Sequence, residues 1–430
     1  MRSTTLVSLA LFLALPVAAQ DAQGPPPEPK IELPGIQKLR IGGQYRLRYE
    51  NFVDYDFDSD ATDNDDFFGQ RVRIDFDFTI NDRMSVFVQV QDVRFFGETS
   101  STVARTAPGL DLHQGWLEVR DLPWLGADAR LGRQILSYGE ERIIGALEWL
   151  NQGRSFDGMR LRFEPCEDSD LDLFAVQLRE DLVTLNRRDD AVFFGAYWAM
   201  KSAKNQLDLY VLGLHDDLTG VGDNENRFTL GARGILGGDH TEFGAELVTQ
   251  FGDVDGADIP LGETYGVHAH ARLRPGDGDV WLQADFDAAS GDDPGTTDNE
   301  RFDTLFSTAH RHLGIMDFVF FENVTHGSLT VGVKAAQHSR LELSWRFFRA
   351  QETADRVFGP QGTLSNGGPG IDPDLGQELN LIFHHDFDAA PAKASVEIGY
   401  GLFVPGVGVQ DARGGDDLAH FMYVQGDVRF

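Results

Sequence analysis

Residues 71–80 read RVRIDFDFTI. Charges fall on Arg71, Arg73, Asp75 and Asp77, and apolar side chains on Val72, Ile74, Phe76 and Phe78. A strict period of two, rich in β-branched and aromatic residues, is a β-strand with one charged face and one apolar face. In a soluble protein the apolar face meets a core. In a membrane barrel it meets lipid, and the charged face lines a wet lumen.

The rest of the chain decides between these. The 430 residues include 47 Gly and 32 Phe but are only 41% hydrophobic. A mean hydropathy of −0.28 excludes a helical membrane protein. It suits a transmembrane barrel, in which only alternate strand residues face lipid. No stretch of the mature chain approaches the ~20 apolar residues of a spanning helix.

The first residues, MRSTTLVSLALFLALPVAAQ, place a basic Arg2 before an apolar run and small residues Ala18 and Ala19. This is the layout of a signal peptide over 1–19, so export is expected. Residues 20–38 form a Pro-rich leader, and 39–430 are read as one unit without a composition shift. Cys166 is the single cysteine, so no internal disulfide is possible.

The alternation recurs. In GQYRLRYE, Tyr45, Leu47 and Tyr49 oppose Arg46, Arg48 and Glu50. The same pattern marks DGMRLRFEP (157–165), YGVHAHARLRP (265–275), SRLELSWRFF (339–348) and ASVEIGYGLF (394–403). Strand starts are predicted near residues 39, 68, 83, 112, 127, 156, 168, 190, 206, 226, 241, 263, 278, 327, 339, 376, 393 and 417. That is an all-β, antiparallel transmembrane barrel of about 18 strands, with 16 to 20 as bounds. DFVFFEN (317–323) alternates poorly and is assigned to a loop or plug. The last strand, FMYVQGDVRF, ends on Phe430, which resembles the aromatic end of bacterial outer-membrane barrels and implies reading by the barrel-assembly machinery. The competing reading is a soluble β-sandwich or propeller. A propeller needs a blade motif recurring every ~40–50 residues, and none is present.

Two long blocks, DARLGRQILSYGEERIIGALEWLNQGRSFDGMRLRF (128–163) and RFDTLFSTAHRHLGIMDFVFFENV (301–324), resemble signatures of the alginate export porin family. The resemblance implies an eighteen-stranded outer-membrane barrel with a charged lumen. It makes Arg133, Tyr138, Arg142, Asp157, His310 and Asp317 family-motif candidates. It also implies outer-membrane lipid and lipopolysaccharide as surroundings and an anionic polysaccharide as the solute, without fixing that solute.

Charge bears on the same question. Only six of 37 basic residues are Lys, and many Arg fall on polar strand faces. Arg46, Arg48, Arg71, Arg73, Arg160, Arg162, Arg272, Arg274, Arg340 and Arg346 are therefore selectivity candidates, because a planar guanidinium takes carboxylates bidentately. The alternative for each is simple pairing with lumenal acids, Arg71 and Arg73 with Asp75 and Asp77 for instance. The net charge of −32, concentrated in runs such as 54–66 and 290–300, opposes a polyanion at the mouth. It leaves a general or cation-selective porin open, and it excludes nucleic acid as a partner. The run at 54–66 lacks the Gly and closing Glu of a calcium loop. Ser307, His310 and His312 invite a hydrolase, but no GxSxG, HExxH or CxxC is present. No enzyme, cofactor or metal site is expected.

Overall fold

The computed structural model describes residues 34–59, 64–97, 110–179, 190–217, 224–276 and 278–430; the predicted signal peptide and most of the leader lie outside them. The first strands are β1 Lys38–Val53, β2 Asp65–Asn81, β3 Met84–Phe95, β4 Asp111–Val119, β5 Asp128–Gln134 and β6 Phe156–Phe163. Then come β7 Ser169–Arg179, β8 Ala191–Lys201, β9 Asn205–Asp216, β10 Glu225–Gly237 and β11 Thr241–Val254. A three-residue β12, Ala257–Ile259, precedes β13 Tyr265–Leu273, β14 Val280–Ala289, β15 Val324–Ala336 and β16 Ser339–Ala350. A loop hairpin of β17 Val357–Gly359 and β18 Gly362–Ser365 leads to β19 Asp374–Phe387, β20 Lys393–Pro405 and β21 Ala419–Arg429. About two turns of helix, α1 Val407–Arg413, lie between the last two.

Each long strand pairs antiparallel with its neighbours, and β1 pairs with both β2 and β21, so the sheet closes. Setting aside β12, β17 and β18, the wall has eighteen strands, each within three residues of its predicted start. The segment 317–323 is loop, as expected. Closure leaves no sheet edge, which is what a strand-built wall needs in hydrocarbon, where every backbone amide must find a partner.

The faces sort as the alternation demands. Along β1, Arg46 and Arg48 are buried in the lumen while Tyr45 is 40% exposed on the outside. Along β9, Asp208, Tyr210 and Leu212 are buried, and Leu207, Leu209 and Val211 point out. The exposed belt of Leu, Val, Phe and Trp is the lipid-facing surface of a membrane barrel, not a misplaced core.

Phe430 closes the seam. Its backbone exchanges hydrogen bonds with Gly43, amide to carbonyl at 3.0 and 3.1 Å. Its ring covers Gly43, where a Cβ would stand 2.8 Å from ring carbon Cζ. The same device recurs inside, where the Tyr423 ring lies over Gly399 on the neighbouring strand.

Connections alternate in length. Those after β2, β4, β6, β8, β10, β13, β15 and β19 are no longer than eight residues, and the start of β1 and the end of β21 lie at that end of the barrel. The long connections gather at the other end. Two of them, 135–155 and 290–323, fold into the lumen.

Candidate functional site

The two inward segments hold each other before they touch the wall. Ile144 and Phe306 form a parallel bridge. Gly145 N donates to Phe306 O at 2.8 Å, Phe306 N to Ile143 O at 2.9 Å and Thr308 N to Glu141 O at 2.9 Å. Gly145 must be glycine here, since a Cβ would stand 2.2 Å from Thr308 Oγ1. Arg154 Nη1 donates to the Phe306 carbonyl across the pair. Beneath them Leu136, Ile143, Ile144, Phe156, Phe193 and Phe302 form a buried apolar cluster, which anchors polar loops inside a polar lumen. Tyr138 stacks on Tyr197 with ring centres 4.5 Å apart. The two sequence blocks that resemble the export family are these two segments with their flanking strands.

On one side of the lumen, β1 and β2 bring four guanidinium groups together. Register sets Arg46 directly opposite Arg71, and like charges so placed repel. Glu50 of β1 pairs with Arg48, and the loop 148–152 supplies the counter-charge of Arg71 and Arg73. Arg71 Nη2 donates to Glu148 Oε2 at 2.7 Å, and Arg73 Nη1 to Glu148 Oε1 at 2.8 Å. Arg46 Nη1 donates to Glu148 O at 2.6 Å, and Arg48 Nη1 to Trp149 O at 2.7 Å. Arg48 also lies 3.8 Å over the Trp149 ring, while His310 stacks on Trp149 at 3.5 Å between ring centres. His310 is held in turn by Asp317 Oδ2, 2.9 Å from Nδ1. Burial alone would raise the Glu148 pKa, but Arg71 and Arg73 outweigh it and hold the carboxyl down at about 2. The pairing of Arg71 and Arg73 with Asp75 and Asp77 is not formed: Gln89 takes Asp75, and Arg40 takes Asp77. Arg71 and Arg73 turn instead to the loop, where Glu148 accepts from both.

A cavity of about 510 Å³ opens beside this cluster, toward the short-turn end. Arg46, Arg71, Glu148, Trp149 and His310 meet Arg311, Lys393, Asp427 and Arg429 around it. Arg311 and Lys393 are exposed, and neither side chain has a hydrogen-bond or ion-pair partner among the described residues.

The other candidates are engaged elsewhere. Arg162 forms a bidentate pair with Asp172 at 2.7 and 2.8 Å, Arg160 lies 3.8 Å from the same carboxylate, and Tyr138 OH donates to it at 3.0 Å. Arg272 and Arg274 share Glu242 at 3.1 and 3.6 Å. Arg340 lies near the short-turn end, 3.7 Å from Glu342. Arg346 Nη1 donates to His312 O at 2.8 Å, tying β16 to the second inward segment. Arg133 and Asp157 face each other at 3.6 Å on the outward parity of the wall, in line with Leu131 and Met159. The ten lumenal candidates therefore do not form one ring.

Across the lumen a belt runs around the wall by direct register. Asp208 faces Arg233, Arg233 faces Glu246, Glu246 faces His268, His268 faces Asp287, and Asp287 faces His326. The first inward segment plugs into it with matching charges. Glu140 accepts from Arg233 Nη2 at 3.2 Å, and Arg142 Nη1 donates to Asp287 Oδ1 at 2.8 Å. Burial would raise the Glu140 pKa, but Arg233 and Arg142 outweigh it and lower it. His312, whose pKa burial pushes well below the usual value, donates from Nε2 to Glu140 O at 2.7 Å. Sequence reading missed Glu140, Glu148, Trp149 and Arg311. Only the long apolar–polar mixture of 135–155 hinted that this connection was more than a surface loop.

No hydrogen bond among the described residues joins Ser307 Oγ to His310 or His312, so the nucleophile–base pair of a hydrolase is not formed.

A closed eighteen-stranded wall with an apolar belt outside, charged residues inside and two loops narrowing the lumen defines an outer-membrane channel of the porin class. The chain matches the alginate export family over residues 37–422 and belongs to that family. Among curated proteins no sequence matches it. Its fold is similar to solved outer-membrane barrels. One is Pseudomonas aeruginosa OpdO, at TM-score 0.61 and 12% identity over 92% of this chain and 97% of that one. Another is the outer membrane protein OprD of the same organism, at TM-score 0.60 and 12% identity over 92% and 94%. A third is Acinetobacter baumannii OccAB1, at TM-score 0.60 and 11% identity over 92% and 97%. In such barrels short turns face the periplasm and long loops the outside.

Proposed function

We propose that the protein passes an anionic solute of the uronate-polymer class through its lumen, and that it is a channel without catalytic activity. The observation that carries this is the cavity beside Arg46 and Arg71, lined by two further cations, Arg311 and Lys393, whose side chains have no partner among the described residues. Fixed cations at a narrow point govern which ions pass, because the local field there outweighs distant charge. The contact of the Glu148 carboxylate with Arg71 and Arg73 supports this reading, since a uronate offers the same group. Export by an N-terminal signal and insertion read from Phe430 complete the proposal, with lipopolysaccharide around the long-loop end.

A second reading, a general or cation-selective porin, is favoured by the net charge of −32. Current block separates the two. Uronate oligomers added to the protein in a planar bilayer should block the current, and Arg311→Gln with Lys393→Gln should weaken the block. A pore indifferent to uronates would refute the first reading.

A further inference from the structure

We propose that Glu140, His268 and His270 form a binding site for a divalent transition cation of the zinc type, on the lumenal wall where the first inward segment meets β13. One ligand atom from each lies within 4.8 Å of the others. The two histidines are both on the lumenal face of β13, two residues apart, and both are buried.

The ring nitrogens are already placed as ligands. His268 Nε2 and His270 Nδ1 are 3.1 Å apart. Around a tetrahedral zinc with bonds of ~2.0–2.1 Å, neighbouring ligand atoms stand roughly 3.3 Å apart. Behind His268, Asp287 Oδ1 accepts from Nδ1 at 2.9 Å, which fixes the tautomer and leaves the Nε2 lone pair facing the site. A carboxylate behind an imidazole is the usual support for a metal-binding histidine.

His270 supplies the second observation. Without a cation, the contact between the rings needs a proton on His270 Nδ1. That leaves His270 Nε2 a bare acceptor, buried and without a partner among the described residues. The carboxylate of Glu242, itself an acceptor, lies 3.6 Å away. With a cation on Nδ1 the proton moves to Nε2 and points at Glu242, so both histidines gain the same carboxylate support. The His270 ring lies over Gly244, where a Cβ would stand 2.1 Å from Cε1, so the sequence keeps room for the ring in this pose.

Two arginines compete. Arg142 Nη2 lies 3.1 Å from His268 Nε2 and must give way, while its Nη1 keeps Asp287 at 2.8 Å. Arg233 holds Glu140 at 3.2 Å through Oε1, which leaves the other carboxylate oxygen to the cation. Two imidazoles and one carboxylate favour zinc, nickel or copper over magnesium or calcium, and three protein ligands leave a position open to water. A bound cation ties the loop to the wall through Glu140.

The test is zinc titration of the full-length barrel in detergent by calorimetry, with cobalt(II) absorption as a second readout. One cation per chain should bind, with visible d–d bands of a tetrahedral nitrogen–oxygen site. His268→Ala and His270→Ala should each weaken binding by more than roughly tenfold, and Glu140→Gln should weaken it as well. His384→Ala, at another histidine–carboxylate cluster, should leave it unchanged. Gel heat-modifiability confirms that each variant is a folded barrel. Absence of saturable binding overturns the proposal, as does binding that survives both histidine changes or that is lost in His384→Ala.

Discussion

The two sides of the lumen use the same residue types to opposite ends. Along β9 to β15 the wall neutralises itself: each charge in the belt from Asp208 to His326 faces a partner by direct register, and Arg142 and Glu140 arrive as a matched pair. Along β1 and β2 register sets Arg46 against Arg71, and of Arg46, Arg48, Arg71 and Arg73 only Arg48 has an acid of the wall, Glu50, as its ion-pair partner. The counter-charge of Arg71 and Arg73 comes from a loop, and Arg311 and Lys393 add cations beside the cavity whose side chains have no partner among the described residues. One side is a structural clamp, and the other gathers five cations and four carboxylates around a cavity. Charge content along a strand does not distinguish them; cross-strand register does.

The sharpest way to break the clamp is Arg142→Met. It leaves Asp287 facing only His268 and His326 in a buried site. Removing one member of a buried pair costs about 3–5 kcal/mol. The midpoint of heat-modified gel mobility should fall, and single-channel conductance should become larger and noisier as the loop detaches. The same substitution type outside the clamp, Arg162→Met on β6, should shift the midpoint less, because Arg160 remains near Asp172.

The next effect concerns the field. Replacing Arg71 and Arg73 by Gln should lower anion preference and also loosen loop 148–152, which both arginines hold. Glu148→Gln should act in the opposite direction and raise anion preference, since it removes a negative charge and frees two guanidinium groups.

A smaller effect is a pH dependence with a defined sign. The folded Glu148 pKa, about 2, lies below that of an ordinary Glu, near ~4.3. Its ion pairs therefore contribute fully above the ordinary value and are lost as pH falls through the folded one. The difference in selectivity between the parent protein and Glu148→Gln should persist to about pH 3 and close toward pH 2. A difference that closes near pH 4.5 would show that Arg71 and Arg73 do not hold the carboxylate. The smallest effect is Arg311→Gln, which should reduce anion preference without moving the thermal midpoint, because no partner among the described residues is lost.

Much of the wall was legible from RVRIDFDFTI and its like, because a period of two binds side-chain chemistry to facing and lipid leaves no tolerance for error. Which arginines sit in the lumen followed from parity: Arg46, Arg48, Arg71 and Arg73 are all buried there. What they touch did not follow, because it depends on loops that close over sequence separations such as 77 residues between Arg71 and Glu148. The outward Arg133–Asp157 pair illustrates the same limit, since resemblance flagged both residues while their parity places them away from the pathway. His268 and His270 were visible as alternate residues of one strand, but Glu140, which completes their cluster, comes from 128 positions earlier and carries no local signal.

The central claim is that the field at the narrow point, not the net charge of −32, sets what passes. It is tested most directly by the reversal potential of the purified protein in a planar bilayer across a tenfold salt gradient. Cavity cations in control should give a potential of the sign for anion permeation. High salt should preserve that sign, since screening over ~3 Å near 1 M removes the distant acids first. A potential of the cation-selective sign, unchanged in Arg71→Gln with Arg73→Gln, would contradict it.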